Sequence, residues 1–441
     1  MPDAATILKD RFDPVSIRGA VLSVGAQTAE ISDRLGSLKV GARVEIETDA
    51  GALPAEIIAL SPGSATALPF GSLEGIALGA AAQFVLRAPG IAPCDGWLGR
   101  IVNGLGEPID DKGPLPRGTT QRPVRARPPR APQRARLGGP IDFGVRALSC
   151  FTPARVGQRF GVFSAAGVGK SALMAMIARN TECDIAVIGL IGERGREVRE
   201  FIEDSLGPEG LARSVVVVAT ADEPALMRRE AAYLSLAIAE HFRDAGAHVL
   251  CLMDSLTRIA HAQREIGLAT GEPPTTKGFT PSVFSLLPAI IERAGPGQDG
   301  AAPGYISAIF SVLVEGDDHD EPIADAARAC LDGHIVLARA IAERGRLPAI
   351  DILRSVSRTM PGALSGDRAG LVREAKALAS AYDDMRDLIR FGAYKAGSDP
   401  VVDRAIAIRN ELEDFLSQDI AERAEADVAF ARLSDILRGR V

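Results

Sequence analysis

No run of eighteen uncharged apolar residues occurs anywhere in the 441-residue chain, which excludes a membrane-spanning helix. Cysteine is scarce. Residues 94, 150, 183, 251 and 330 are odd in number and show no C-x-x-C spacing, so they read as buried free thiols in a reducing compartment. The opening MPDAATILKDRFD is charged and does not read as a signal peptide. No solenoid-type repeat is present. Excess positive charge is also missing, and a net charge of −7 argues against nucleic acid as the principal partner. The local exception is 117–136, with seven arginines among several prolines. It reads as a solvated connection between elements, or alternatively as a patch for nucleic acid or an acidic partner. What remains, 46% hydrophobic and 24% charged, is the composition of a soluble globular protein, long enough for two or three domains.

Three patterns follow one another. Residues 18–88 look all-β: in ARVEIET (42–48), Val44, Ile46 and Thr48 alternate with Arg43, Glu45 and Glu47, and Asp49-Ala50-Gly51 supplies the turn. Short strands separated by turns suggest a small barrel. From about 95 to 360, apolar runs recur: DIAVIGLIG, SVVVVAT, HVLCLMD, ISAIFSVLV and GHIVLAR. Such uniformly apolar strands, with helical segments between many of them, suit a mostly parallel α/β sheet covered on both faces. One helix is predicted over 231–246, stopping at Gly246. After about 362 the chain reads as helical, with Leu412, Phe415, Leu416 and Ile420 at three- and four-residue spacing.

The chemistry starts in GVFSAAGVGKSAL (161–173). The pattern G-x-x-x-x-G-K-[ST] works because backbone N–H groups and a helix N-terminus converge on phosphate oxygens, a lysine reaches the β/γ-phosphates, and a hydroxyl reaches Mg²⁺. The loop runs through Ser164, Ala165, Ala166, Gly167, Val168, Gly169, Lys170 and Ser171 to Ala172, with Ser164 where the pattern has its first glycine. An apolar strand precedes it and strong helix formers follow, as a nucleotide loop requires. Ser164 is small and keeps its N–H, so the loop is expected to close.

HVLCLMD ends in Asp254, at the strand end where ligands of open parallel sheets bind. A carboxylate there can hold Mg²⁺ with Ser171, or simply cap the next helix. IGERGREV places Glu193 and Arg194 at another strand end. A nucleotide hydrolase needs a carboxylate to polarise water and cations near the γ-phosphate. Glu193 suits the first role and Arg194 or Arg258 the second, but Glu197 and Arg196 lie beside them and charge alone does not choose.

Several long segments now carry a resemblance: DGWLGRIVNGLGEPID, GVGKS, GERGREV, LMDSLTRIAHAQREIGLATGEPPTTKGFTPSVFSLLPAIIERAG and VLVEGDDHDEPIADAARACLDGHIVLAR, with PAIDILRSVS and GAYKAGSDP. Together, over about 18–415, they resemble the flagellum-specific ATPases of type III protein export, in the family of rotary ATP synthase head subunits. The resemblance implies an N-terminal segment (1–17), a β-barrel (18–88), a RecA-like ATPase domain (89–362) and a C-terminal helical domain (363–441), assembled as a homo-hexameric ring. It implies ATP and Mg²⁺ as cofactors. Lys170 and Ser171 match the phosphate and Mg²⁺ residues, Glu193 the catalytic glutamate, Arg194 its neighbour, Asp254 the Mg²⁺-side aspartate and Arg258 a γ-phosphate contact. Arg358, in SVSRTM, matches the arginine that reaches a neighbouring subunit's site; a local salt bridge is the alternative. Implied partners are a stator-like regulator, a central stalk protein, chaperone–substrate complexes and the membrane export gate. The implied location is cytoplasmic, at the base of the flagellar export apparatus on the inner membrane.

The chain departs from the family at Ser164 and Ala165, where the loop usually begins with Ala or Gly and a further Gly. It also departs at Leu347, where an aromatic residue that packs on adenine often precedes PAID. Tyr394 is a candidate for the other side of the base pocket, or a core tyrosine. The segment before the barrel is short, which implies a reduced regulator contact. Competing readings are an injectisome ATPase of the same family, a non-catalytic nucleotide-binding ring subunit, which Glu193 opposes, and an RNA-acting ring helicase. That last reading rests on 117–136 alone and lacks the aromatic platform single-stranded RNA requires.

Overall fold

The computed structural model describes residues 18–85, 90–300, 302–318, 320–364 and 366–439. The N-terminal segment 1–17, with its expected regulator contact, lies outside them.

Alternation builds the first unit. Strands β1 (Arg18–Val24), β2 (Ala29–Ser32), β3 (Arg43–Thr48), β4 (Gly51–Ser61), β5 (Ser64–Pro69) and β6 (Ala81–Val85) close into a barrel in the order β1-β2-β5-β4-β3-β6. Val44 and Ile46 of β3 point into its core and are fully buried, while Glu45 and Glu47 face outward. Ion pairs to two buried carboxylates, Glu56 and Glu230, join the barrel to the next unit. Arg43 meets Glu230 at 2.8 Å, Arg229 meets Glu56 at 2.7 Å, and Arg125 spans Glu56 at 2.5 Å and Glu230 at 2.8 Å. Removing one partner of such a set strands a charge in the interior, so these contacts specify how the barrel is seated.

The apolar runs form the central sheet. Its strands are β7 (Arg100–Asn103), β8 (Arg159–Ser164), β9 (Ile185–Glu193), β10 (Ser214–Thr220), β11 (His248–Asp254), β12 (Tyr305–Leu313), β13 (Gly333–Leu337) and β14 (Val356–Ser357), in the order β14-β13-β8-β12-β11-β9-β10-β7. All neighbouring pairs on this path are parallel except β13–β14. Helices α1 (Lys170–Asn180), α2 (Ala225–Asp244), α3 (Leu256–Ala269), α4 (Pro281–Ile291) and α5 (Pro322–Cys330) belong to this unit, and two large cores lie about the sheet. Burial on both faces explains why β9 and β10 carry almost nothing but apolar side chains. The predicted helix over 231–246 falls on α2, which begins earlier, at Ala225, and ends at Asp244, and Gly246 takes φ 98° just past its end.

Helices α6 (Arg368–Arg390), α7 (Pro400–Leu416) and α8 (Ala426–Leu437) form the C-terminal unit. Leu412, Phe415 and Leu416 are buried on α7, but Ile420 lies beyond the helix end and is 41% exposed. The spacing signal continued past the point where the helix stops. This unit docks through Arg146, which donates to the carbonyls of Phe415 at 2.8 Å and Ser417 at 2.5 Å, and through Gln418, whose N–H donates to the Leu347 carbonyl at 2.9 Å. Three arginines of 117–136 are also structural ties: Arg122 to Asp244 (2.5 Å), Arg125 to Glu56 and Glu230, and Arg134 to Glu292 (2.9 Å).

Candidate nucleotide site

Strand β8 delivers the loop to the C-terminal edge of the sheet, and α1 starts at Lys170 with Gly169 as its N-cap. Gly167 at φ 79° and Gly169 at φ 94° are left-handed, a conformation costly for other residues. Ser164 and Ala165 take ordinary backbone angles, so glycine is not needed where the pattern has lost it. Their side chains are buried, and among the described residues the Ser164 Oγ has no hydrogen-bond partner. A buried unpaired hydroxyl costs free energy, so Ser164→Ala is expected to stabilise the chain by about 1 kcal/mol and to raise the thermal midpoint, read by calorimetry. A lower midpoint would mean that the hydroxyl has a partner in solution.

Lys170 is nine-tenths buried and its ammonium lies between two carboxylates. It pairs with Asp254 Oδ1 at the end of β11, and with Glu193 Oε1 at 3.3 Å at the end of β9. Asp254 does not cap the following helix. Ser255 does, its Oγ accepting from the Arg258 N–H at 3.3 Å. Asp254 Oδ1 instead also accepts from the buried Ser311 hydroxyl at 2.5 Å, a residue the motif reading passed over. Its signal in the sequence was a second serine, after Ser307, in the otherwise apolar run YISAIFSVL.

Geometry resolves the crowded GERGREV turn. Glu193 faces the lysine, while Glu197 is half exposed on the next helix and pairs with Arg194 at 3.7 Å. The Arg194 side chain is 81% exposed, so within this chain it is not brought to Lys170. The Arg258 stem packs over Gly192, next to Glu193, where a Cβ would meet Arg258 Cβ at 2.7 Å, and among the described residues its buried Nε has no partner. The turn therefore needs glycine at 192, both for φ 72° and for that close approach.

Leu347 is 50% exposed, and a Cβ at Gly169 would lie 3.5 Å from its Cδ2. It borders the loop. Tyr394 makes local contacts instead, its hydroxyl lying 3.0 Å from both the Asp399 carbonyl and Asp403 Oδ1 at the start of α7. If Leu347 borders the base, Leu347→Tyr adds a stacking ring and should tighten ATP binding by on the order of 1 kcal/mol, about fivefold in Kd by fluorescence titration. Unchanged affinity would place the base elsewhere. Arg358 is exposed, and its guanidinium donates to the Arg328 carbonyl at 3.4 Å. Among the described residues no carboxylate pairs with it.

A phosphate loop at the carboxyl edge of a mostly parallel sheet, with its lysine held between two carboxylates from neighbouring strand ends, defines a P-loop nucleoside triphosphatase. Comparison with known proteins narrows the class. Residues 144–357 match the ATP synthase alpha/beta family, nucleotide-binding domain, and residues 365–435 match the T3SS EscN ATPase C-terminal domain. The chain is 54% identical to a flagellum-specific ATP synthase of Caulobacter vibrioides, over 97% of this chain and 98% of that one. It is 44% identical to a type 3 secretion system ATPase of Xanthomonas euvesicatoria, over 90% and 91%. Among solved structures, the assembled ATPase EscN of the enteropathogenic E. coli type III secretion system superposes with a TM-score of 0.89 at 38% identity, covering 95% of this chain and all of that one. EscN in complex with its central stalk EscO does so with 0.86, at the same identity and coverage. The chain belongs to the ATP-binding family of flagellum-specific ATP synthases and type III secretion ATPases.

Proposed function

We propose that this chain hydrolyses ATP with Mg²⁺ and thereby energises export of flagellar proteins through the flagellar type III apparatus, by releasing or unfolding chaperone-bound substrates and activating the gate. The observation that carries the reading is Glu193 beside Lys170, with Asp254 on the lysine's other side. The loop amides and Lys170 hold the phosphates. Glu193 orients a water and accepts its proton as the water oxygen attacks the γ-phosphorus, and the bond to the β,γ-bridging oxygen breaks. Arg258, whose stem packs over Gly192 beside Glu193, is assigned to meet the charge developing on the phosphate.

The donor set suits a hard cation: the exposed Ser171 hydroxyl and Asp254 Oδ2, which among the described residues carries no hydrogen bond. Among the described residues no three His, Cys, Asp or Glu side chains gather into a metal-holding group. Mg²⁺ keeps several waters and takes further ligands from substrate phosphates, so two protein donors can serve it. When bound, it would neutralise developing phosphate charge.

A homo-hexameric ring around a central stalk is supported by the likeness to assembled EscN and to its stalk complex. A stator-like regulator, chaperone–substrate complexes and the membrane export gate complete the proposed partners, with the ring at the cytoplasmic base of the export apparatus. No helix of the described residues is long and apolar enough to cross a membrane, so attachment there would be peripheral. The higher identity to a flagellar relative, 54% against 44%, favours the flagellar branch over the injectisome. The purified chain should hydrolyse ATP only with Mg²⁺ supplied, and should restore filament growth to a flagellated bacterium lacking its own export ATPase. Restored injectisome secretion without filaments would move the assignment to the other branch. Binding without hydrolysis would favour the non-catalytic reading.

A further inference from the structure

Strand β12 lies between β8, which carries the phosphate loop, and β11, which ends at Asp254. In register, Val162 sits opposite Ser311 on one side and Met253 opposite Phe310 on the other, so Ser311 is held next to the following residue, Asp254. Ser311 is fully buried and flanked in sequence by Phe310 and Val312. A hydroxyl in such a place needs a partner, and its partner is Asp254 Oδ1 at 2.5 Å, the short distance typical of a hydroxyl donating to a carboxylate. Lys170 donates to the same oxygen. Two donors on Oδ1 fix the rotation of the carboxylate, and among the described residues Oδ2 carries no hydrogen bond. A phosphate competes with Asp254 for Lys170, but nothing in the nucleotide competes for the buried Ser311. It is the partner that keeps the carboxylate aimed while the lysine is engaged elsewhere.

We infer that Ser311 is a positioning residue for cation-dependent nucleotide binding, acting through Asp254. The inference rests on Asp254 as the Mg²⁺-side carboxylate. The test compares Ser311→Thr, which keeps the hydroxyl, with Ser311→Val, which has nearly the same shape without it. Binding of N-methylanthraniloyl-ADP is followed by fluorescence as Mg²⁺ is titrated, and again in EDTA. Ser311→Val should raise the Mg²⁺ needed for half-saturation roughly tenfold, the lower end of what loss of such an outer-shell contact costs. Binding in EDTA should be unchanged, and Ser311→Thr should match the wild type. Equal Mg²⁺ requirements for the two variants would overturn the inference, as would loss of binding in EDTA to the same extent, which marks general damage. Should Ser311→Val fail to fold, Ser311→Ala makes the same comparison. Asp254→Asn is run in parallel. If it too leaves the Mg²⁺ requirement unchanged, the reading of Asp254 fails. If it shifts the requirement and Ser311→Val does not, only the role of Ser311 fails.

Discussion

Glu193→Gln is expected to keep MgATP bound and to lose turnover, with kcat falling by roughly 10²–10⁴ as for removal of a general base. The two side chains have the same shape, and the glutamine amide oxygen can still accept from Lys170, now 3.3 Å from the carboxylate. Binding therefore survives. With one negative charge removed beside the lysine, phosphate meets less competition, so Kd for MgATP should stay equal or fall. The amide cannot take the proton of the attacking water. Phosphate release measures the rate, and labelled-nucleotide fluorescence measures Kd. Hydrolysis at full speed would move the catalytic role elsewhere. Glu197 is then the first residue to change, although it is half exposed and paired with Arg194.

Arg358→Ala should also be severe, but for a reason that lies between chains. The side chain is exposed, donates only to the Arg328 carbonyl, and pairs with no carboxylate among the described residues, so the alternative of a local salt bridge finds no partner there. An arginine with permanent charge and a fork matched to phosphate oxygens, left facing outward, suits a neighbouring subunit's site. Arginines supplied in trans contribute roughly 10³–10⁵ in rate in other phosphoryl-transfer systems. Mixing separates a trans from a cis role. Arg358→Ala and Glu193→Gln chains are each inactive alone, but a mixed ring pairs an intact Glu193 with an intact Arg358 across some boundaries. Partial recovery of hydrolysis supports the trans role. No recovery, with mixed rings demonstrated by mass, counts against it.

The parts legible in the sequence were those written in consecutive residues. The phosphate loop, the apolar runs that became β8–β13, and the alternation of β3 each state their structure within a few positions, because strand pairing and loop closure depend on local backbone angles and on which face is buried. Ser164 stands where the pattern has glycine, and the expectation that the loop still closes agrees with a backbone that needs no positive φ there. What was hidden depended on distant chain. Ser311 meets Asp254 across 57 positions, and nothing near either residue announces the other. Glu193 and Glu197 were equivalent by charge until the strand end and the helix turn pointed them apart. Arg194 bore the same motif as its neighbour but faces solvent, and Tyr394 is held by its own loop. Leu347 was reached through resemblance alone, and its place beside Gly169 depends on a C-terminal segment that anchors its carbonyl through Gln418.

The central claim is a hydrolytic site completed by a neighbouring subunit. ATPase rate per chain, measured against protein concentration with mass measured in parallel, tests it most directly. The account predicts negligible activity while the chain is monomeric, a rise steeper than linear as rings form, and a plateau once assembly is complete. A rate per chain that is already maximal at concentrations where mass reports only monomer would contradict it.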